Sequence, residues 1–349
     1  MKKHITKIAA GVCLALVCSS CSDTKDKEAA QNPSEKTSFK VAWSPYTGWE
    51  PISYMVDSGI LKKHADKHGI TIEVNKLNDY VESINLYSAG EYDSVSITNM
   101  DALAFPAASG IDSTVLLPTD FSNGNDAIVS KSCNTVQELK GKNINLVELS
   151  VSHYLLARAL QQNGLTEQDV TVTNSSDAQI GSLFHASDDS TVVTWNPIVN
   201  SIKSQPNAKI LFDSAKVPGE IIDTLIVKTN SNESFKKALS GAWYETMQAM
   251  QNNPESLKVM ADSAGGTLAE YNEQLTTTEM FYTKADAAKF VESKKVQTTM
   301  EFVRSFAFEK GLYGEGATDK DFIGIEFPDG TVQGDKNNIK LRFSSDYLK

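Results

Sequence analysis

The chain has 349 residues, enough for two folded units, and its 40% hydrophobic and 22% charged content is that of an ordinary globular protein rather than a disordered or fibrous one. Its 33 basic against 44 acidic residues, a formal net charge of -11, argue against a nucleic-acid-binding surface, which depends on clustered Lys and Arg. Only three arginines occur, Arg158, Arg304 and Arg342.

Residues 1–20 read as a signal peptide, because Lys2, Lys3 and Lys7 precede an apolar run from Ile8 to Val17 that is too short to span a membrane. Its removal takes the net charge to -11 - 3 = -14. The run ends in Cys18-Ser19-Ser20-Cys21, similar to a bacterial lipoprotein cleavage box with Cys18 in place of the usual Leu. Lipidation is therefore expected at Cys21, holding an exported protein on a membrane. Residues 21–38 are polar and read as a flexible tether. Cys13 and Cys18 leave with the signal, so Cys133 stands alone and reads as a structural thiol.

The folded part is expected to start at Phe39. A strand Phe39 to Trp43 runs into the turn Ser44 to Pro51 and a helix carrying Ile52, Met55, Val56 and Ile60 on one face. A strand Ile70 to Lys76 leads through Asn78-Asp79-Tyr80 into a second helix, and a strand Ser94 to Ile97 leads through Thr98-Asn99-Met100-Asp101 into an Ala-rich helix, Ala102 to Ala108. Strand, polar turn and helix thus recur three times, which predicts a parallel sheet with helices on both faces.

After a strand Ser113 to Leu117, the turn-rich run Pro118 to Asp126 marks a first crossing between domains. The pattern restarts at Asn143 to Leu160, where an apolar strand gives way to helical spacing with Glu148, Ser150, Ser152 and His153 at the change. Strands follow at Val170 to Thr173, Thr191 to Thr194 and Lys209 to Phe212, with a return crossing expected at Thr224 to Lys228. From Ser231 to Gly316 the spacing is helical, with the stripe Phe235, Leu239, Trp243, Met247 and Met250 and a later one of Phe302, Phe306 and Leu312. Ile323 to Phe343 reads as a small hairpin around Pro328-Asp329-Gly330. Two α/β lobes are expected, residues 39–125 with 225–349 and residues 126–224, joined by a two-strand hinge that can close on a ligand.

Enzyme chemistry is not expected. No nucleophile elbow, phosphate loop, dinucleotide fingerprint or paired-His metalloprotease motif occurs. His64 and His68 lie four apart on a charged face without a third metal ligand, and Ser152 and His153 are sequence neighbours that do not face each other on a helix. Neither a metal nor a cofactor is expected.

In open α/β sheets ligands bind at the turns after strand carboxyl ends. Those turns supply Trp43, Ser44, Tyr46, Trp49, Glu50, Asp79, Tyr80, Glu82, Thr98, Asn99, Asp101, Glu148, Ser150, Ser152, Trp195, Asn196, Glu220 and Asp223; the narrower candidate ligand set leaves out Ser44, Glu50, Glu82 and Glu220. None of these turns carries Arg or Lys, whereas anion sites normally supply a basic side chain. Carboxylates beside aromatic faces suit a small cation or a neutral N–H donor.

The runs F-K-V-A-W-S-P-Y-T-G-W, N-D-Y-V-E-S-I-N, T-N-M-D-A-L, D-F-S-N-G-N-D, N-L-V-E-L-S-V-S-H-Y-L-L-A-R-A-L and V-V-T-W-N-P together resemble those of solute-binding proteins of ABC importers, of the nitrate, taurine and thiamine-precursor type. The nearest subgroup resembles the urea-type binding proteins encoded near urea carboxylase genes. The resemblance covers Phe39 to about Phe308. It implies a type II periplasmic-binding-protein fold of two Rossmann-like lobes and delivery of solute to a membrane permease with a cytoplasmic ATPase. A monomer in the periplasm or on the extracytoplasmic face is expected, lipid-anchored at Cys21. The expected cargo is a small nitrogen-rich solute, neutral or cationic, resembling urea, guanidine or an amide, with a pyrimidine-type thiamine precursor or taurine or another sulfonate as alternatives and a secreted enzyme or a sensory lobe on the same scaffold as a remoter one.

Overall fold

In the computed structural model, residues 36–349 are described. The signal, Cys21 and the tether up to residue 35 lie outside the described residues.

The expected alternation is present. It runs β1 (Ser38–Trp43), α1 (Pro51–Asp57), α2 (Ile60–Lys67), β2 (Thr71–Lys76), α3 (Tyr80–Ala89), β3 (Ser94–Thr98), α4 (Asn99–Ala102) and β4 (Ser113–Ser122). The chain then builds a second sheet from β5 (Ala127–Ser130), β6 (Asn143–Leu146), α5 (Val151–Gln162), β7 (Thr171–Asn174), α6 (Asp177–Ala186), β8 (Thr191–Thr194), α7 (Ile198–Ile202) and β9 (Lys209–Asp213). It returns through β10 (Ile222–Lys228) to the helices α8 (Glu233–Asn252), α9 (Pro254–Ser263) and α10 (Leu268–Leu275). Strand β11 (Thr278–Met280) precedes α11 (Lys284–Val291) and α12 (Lys294–Glu309), and the chain ends in β12 (Gly324–Glu326), β13 (Val332–Gln333) and β14 (Ile339–Phe343).

Local chemistry explains the helix starts that matter here. Asp79 caps α3 by accepting from Glu82 N at 2.9 Å, Thr98 caps α4 by accepting from Asp101 N at 3.3 Å, and Ser150 caps α5 by accepting from Ser152 N at 3.2 Å. All three caps follow strands of an α/β layer, so three helix N-termini meet at the strand ends.

The larger sheet has the order β13-β12-β14-β4-β10-β3-β1-β2, with β11 added on β4, and the smaller one β7-β6-β8-β5-β9. The parallel sheet expected from the alternation is mixed. β1 is parallel to β2 and β3, but β10 is antiparallel to both β3 and β4, and β5 is antiparallel to β8 and β9. The two strands that carry the chain from one sheet to the other, β5 and β10, both run antiparallel to their neighbours. Short-range periodicity cannot report that direction.

Four further readings are corrected. Pro118 to Ser122 is strand rather than turn: β4 runs on through Pro118, whose missing N–H falls at a bulge where Asp223 pairs with Asp120 and Thr224 with Pro118, skipping Thr119. The return strand starts at Ile222, two residues before the expected position. Gly59, with φ of 76°, separates α1 from α2 and turns Val56 outward to 42% exposure, while Ile52 and Met55 are buried. Phe302 is also exposed, although Phe306 is buried beside it on the same helix.

The stripe Phe235, Leu239, Trp243, Met247 and Met250 is buried as its spacing predicts, and Phe235 stacks on Phe39 of β1 at 4.5 Å. Cys133 is a buried free thiol. The tail hairpin is present, and β14 extends it into the larger sheet beside β4.

Candidate ligand cavity between the sheets

A small cavity lies where the strand ends of the two sheets meet, lined by Tyr46, Trp49, Tyr80, Thr98, Asp126, Val151, Trp195 and Asp223. Its volume is about 10 Å³, room for about one water. Four rings follow one another around it. Tyr46 and Trp49 are 4.9 Å apart, Trp49 and Tyr80 5.9 Å, and Tyr80 and Trp195 5.6 Å in an edge-to-face contact. Trp195 comes from the smaller sheet and donates its indole N–H to Pro45 O, in the turn after β1, at 3.2 Å.

The electrostatics of this region are one-sided. Asp120 and Asp223 stand directly opposite each other on the antiparallel pair β4 and β10, a position where like charges repel. The Tyr46 hydroxyl sits between them, 2.8 Å from Asp120 Oδ1 and 2.8 Å from Asp223 Oδ2, and the Thr119 hydroxyl donates to Asp120 Oδ2 at 2.9 Å. Asp126, at the first connection between the sheets, completes the group. Burial pushes the Asp126 carboxyl up to about 7 against the pull of the Ser122 hydroxyl, and the charges of Asp120 and Asp101 add to the push. Burial raises Asp120 to about 6, and Asp223 is driven well above the usual carboxylate range by burial and then by the charges of Asp120 and Asp126.

Helix N-termini are the usual resort of an anion where basic side chains are missing. Here the protein's own carboxylates already take them. Asp101 is fully buried and its Oδ2 accepts from the Tyr80 hydroxyl at 2.7 Å, from the Thr98 hydroxyl at 3.0 Å and from Val151 N, in the first turn of α5, at 3.4 Å. Asp177, at the start of α6, accepts from Tyr80 N, in the first turn of α3, at 3.3 Å. Burial pushes both carboxyls up to about 6, with the Asp79 charge adding to the push on Asp177. The Asp101–Val151 and Asp177–Tyr80 contacts each link an element of one sheet to an element of the other.

Of the residues expected from the sequence, Tyr46, Trp49, Tyr80, Thr98, Trp195 and Asp223 line the cavity, and Asp101 lies directly behind Tyr80 and Thr98. Ser150 and Ser152 form the start of α5, Ser150 as its cap and Ser152 with a buried hydroxyl that finds no partner within the protein. The others lie elsewhere. Trp43 packs under Lys76, whose Nζ is 4.7 Å from the ring. Asn99 donates to Glu220 O at 3.1 Å and accepts from Ile222 N at 3.0 Å, tying the return connection to α4. Asn196 accepts from Asn200 N at 2.8 Å as part of the α7 start.

Asp79 and Glu82 line a more open pocket of about 380 Å³ with Asn174 and Asp177. Glu220 holds Arg158 and the Tyr154 hydroxyl at 2.7 Å each. Glu50 is buried and pairs with Lys76 at 3.1 Å. Glu148 is exposed, its backbone N–H held by Asn174 Oδ1 at 3.0 Å. Glu148→Gln is therefore expected to shift unfolding free energy by less than about 0.5 kcal/mol and to leave solute affinity unchanged in calorimetry.

His153 has a structural role. Leu149 adopts a left-handed conformation with φ of 66°, and its N–H donates to His153 Nδ1 at 3.1 Å, which fixes the turn before α5. Burial, reinforced by Lys310, lowers the His153 pKa to about 4, so the ring stays neutral in this role. Sequence reasoning missed Asp120, Asp126 and Val151. The two acids sit in the run read as a turn; Asp120 is revealed only by its alignment with Asp223 on the returning strand, and Asp126 only by the cavity it shares with Asp223. A larger groove of about 550 Å³ between α5 and α12 includes Arg158, Glu167 and Lys310, but Arg158 is paired with Glu220 and Lys310 with Glu167.

Among the described residues there is no cluster of three or more His, Cys, Asp or Glu that could hold a metal, and no helix long and apolar enough to cross a membrane.

The taurine-binding periplasmic protein of Escherichia coli (strain K12) is 25% identical over 203 residues, 57% of this chain and 57% of that protein, so the match spans little more than half of this relative. The solved alkanesulfonate-binding protein from Xanthomonas axonopodis pv. citri, bound to MOPS, superposes with a TM-score of 0.65 at 16% identity, covering 80% of this chain and 96% of that one. A conserved Candida albicans protein described as having the generic periplasmic binding protein fold superposes with a TM-score of 0.59 at 14% identity, covering 79% and 95%. These likenesses establish the periplasmic-binding-protein fold, in which two α/β sheets are joined by the connections that bracket the cavity. Residues 66–256, more than half of the chain, match the family described as NMT1/THI5 like, and the chain belongs to that family.

Proposed function

We propose that this protein is the extracytoplasmic solute-binding component of an ABC importer, anchored by lipid at Cys21, and that it captures a small nitrogen-rich solute, neutral or cationic, of the urea, guanidine or amide kind. Its lobes are residues 39–125 with 225–349 and residues 126–224, which close on the solute and present it to a permease served by a cytoplasmic ATPase. One observation carries the choice of solute: the cavity combines Asp126 and Asp223 with Tyr46, Trp49, Tyr80 and Trp195 and has no Arg or Lys in its lining. Aromatic faces and carboxylates together favour cations and N–H donors. In the closed arrangement the α5 start is occupied by Asp101, which disfavours an anion in the same place.

Taurine is the second reading, favoured by the 25% identity to a taurine-binding protein. Its ammonium group suits the carboxylates, but its sulfonate requires the α5 start to be vacated by Asp101. Titration calorimetry of the purified protein with urea, methylguanidinium, acetamide, an aminopyrimidine and taurine separates the readings. Binding of methylguanidinium, urea or acetamide with taurine inert is the expected result. Tight binding of taurine alone would overturn the assignment of solute, and binding of the aminopyrimidine alone would move it to a thiamine-precursor carrier that uses the same aromatic walls.

A further inference from the structure

We propose that the cavity, enlarged from its closed volume of about 10 Å³ when the lobes part, receives the cationic head of its solute, a protonated amine or an amidinium-type group, in exchange for a proton that Asp120, Asp126 and Asp223 hold between them while the cavity is empty. This rests on the solute-binding reading above and adds to it the charge of the solute and the proton it displaces.

The geometry requires a shared proton. Tyr46 Oη is 2.8 Å from an oxygen of each of two carboxylates, yet a hydroxyl has one proton to give. The arrangement is complete only when one acid of the pair is protonated and donates to Tyr46 Oη while Tyr46 donates to the other. The two acids are also cross-strand partners on β4 and β10, and Gly48 packs against Asp120 so closely that a Cβ there would lie 2.2 Å from Asp120 Oδ2. Asp120 therefore cannot swing toward Gly48 to relieve the repulsion.

No basic side chain supplies the missing charge. The groups that act on this cluster from the surrounding elements are Tyr46 in the turn after β1, Asp101 on α4, Tyr271 on α10 and Tyr282 after β11, all of them neutral or acidic. Lys76 is engaged elsewhere, with Glu50 at 3.1 Å and Ser263 O at 2.7 Å. An independent feature of the same cavity also points to a ligand. Trp49 lines it, is 2% exposed, and has an indole N–H without an acceptor in the protein. Its ring supplies a face for a cation and its N–H a donor for an acceptor elsewhere on the solute.

The exchange conserves charge. The solute's N–H groups donate to Asp126 and Asp223, the carboxylic O–H bond breaks, and its proton leaves to solvent, one for each cation bound. Burial raises the carboxyls of all three acids, to about 7 for Asp126, which places the exchange in the neutral range.

Two measurements on the purified protein test this. Infrared spectra of the unliganded protein near pH 6 are expected to show the carbonyl stretch of a buried protonated carboxylic acid, and Asp223→Asn, which keeps a donor at that position, is expected to remove most of it. Calorimetry with methylguanidinium chloride in two buffers of different ionisation heat is expected to show release of close to one proton, with affinity rising roughly tenfold per pH unit below neutrality. Absence of the carboxylic-acid band, or methylguanidinium binding without proton release, would overturn the exchange while leaving the solute-binding reading intact. Binding of urea or acetamide with methylguanidinium inert would overturn it in the same way. Failure of every solute in the panel to bind would defeat the solute-binding reading, and this inference with it.

Discussion

Raising the pH from about 6.5 to about 8 is expected to lower the unfolding free energy of the unliganded protein by about 1 kcal/mol or more, and Asp223→Asn is expected to reduce that fall. Burial and the charges of Asp120 and Asp126 hold the Asp223 carboxyl well above its ordinary value, so the folded protein keeps a proton that the unfolded chain has already lost. A raised acid contributes stability that is complete below the unfolded pKa and lost as the pH climbs through the folded one. Each retained proton lowers stability by about 1.4 kcal/mol per pH unit over that interval. Asp126, raised to about 7, adds to the fall, while Asp101 and Asp120, near 6, are largely ionised before the interval ends.

His153 acts in the opposite direction, but its pKa is lowered to about 4 in the folded protein, and its effect is spent once the unfolded imidazole has lost its proton near pH 6.5. Urea denaturation at a series of pH values measures the slope. A wild-type stability that rises across this interval would show that the three acids are ionised in the folded protein. Millimolar methylguanidinium is expected to flatten the slope, because a bound cation replaces the lost proton.

Gly48→Ala is expected to cost about 2–4 kcal/mol and to abolish solute binding, because the new methyl group strikes the most constrained part of the site. The added Cβ would lie 2.2 Å from Asp120 Oδ2 and 2.7 Å from Tyr46 Cε1. Asp120 is fixed by the Tyr46 and Thr119 hydroxyls, so moving it breaks two buried hydrogen bonds and displaces the ring that forms one wall of the cavity. Circular dichroism during chemical denaturation reads the stability, and calorimetry the binding. Asp120→Ala in the Gly48→Ala background is expected to recover part of the lost stability by removing the carboxylate that the methyl group strikes, a coupling that a double-mutant cycle measures directly. An unchanged denaturation midpoint in Gly48→Ala would refute the close contact.

Much of the architecture is legible in the order of residues. The strands beginning near Phe39, Thr71 and Ser94 and the caps Asp79, Thr98 and Ser150 follow from patterns only a few residues long, since capping and apolar periodicity act between near neighbours. Pro118 misled because a Pro in a strand is tolerated only where a bulge relieves it, and that bulge depends on Thr224 of a strand a hundred residues later. Val56 and Phe302 fell on expected apolar faces but are exposed: Gly59 breaks the helix that carries Val56, and Phe302 lines the open groove between α5 and α12, with Arg158 over its ring at 4.6 Å.

The sequence by itself determined that this is an α/β chain whose turns are rich in carboxylates and aromatic rings and poor in Arg and Lys. It also determined the helix starts at which those groups stand. Only the tertiary structure decided which of the acids meet. Glu148, conspicuous in its turn, faces solvent, whereas Asp120 and Asp126, hidden in a run that reads as a loop, share one buried site with Asp223. The physical reason is range. Caps and periodicity are fixed by bonds to the next turn of chain, but the pairing of Asp120 with Asp223 is fixed by the antiparallel register of two strands that carry the chain out of one sheet and back again.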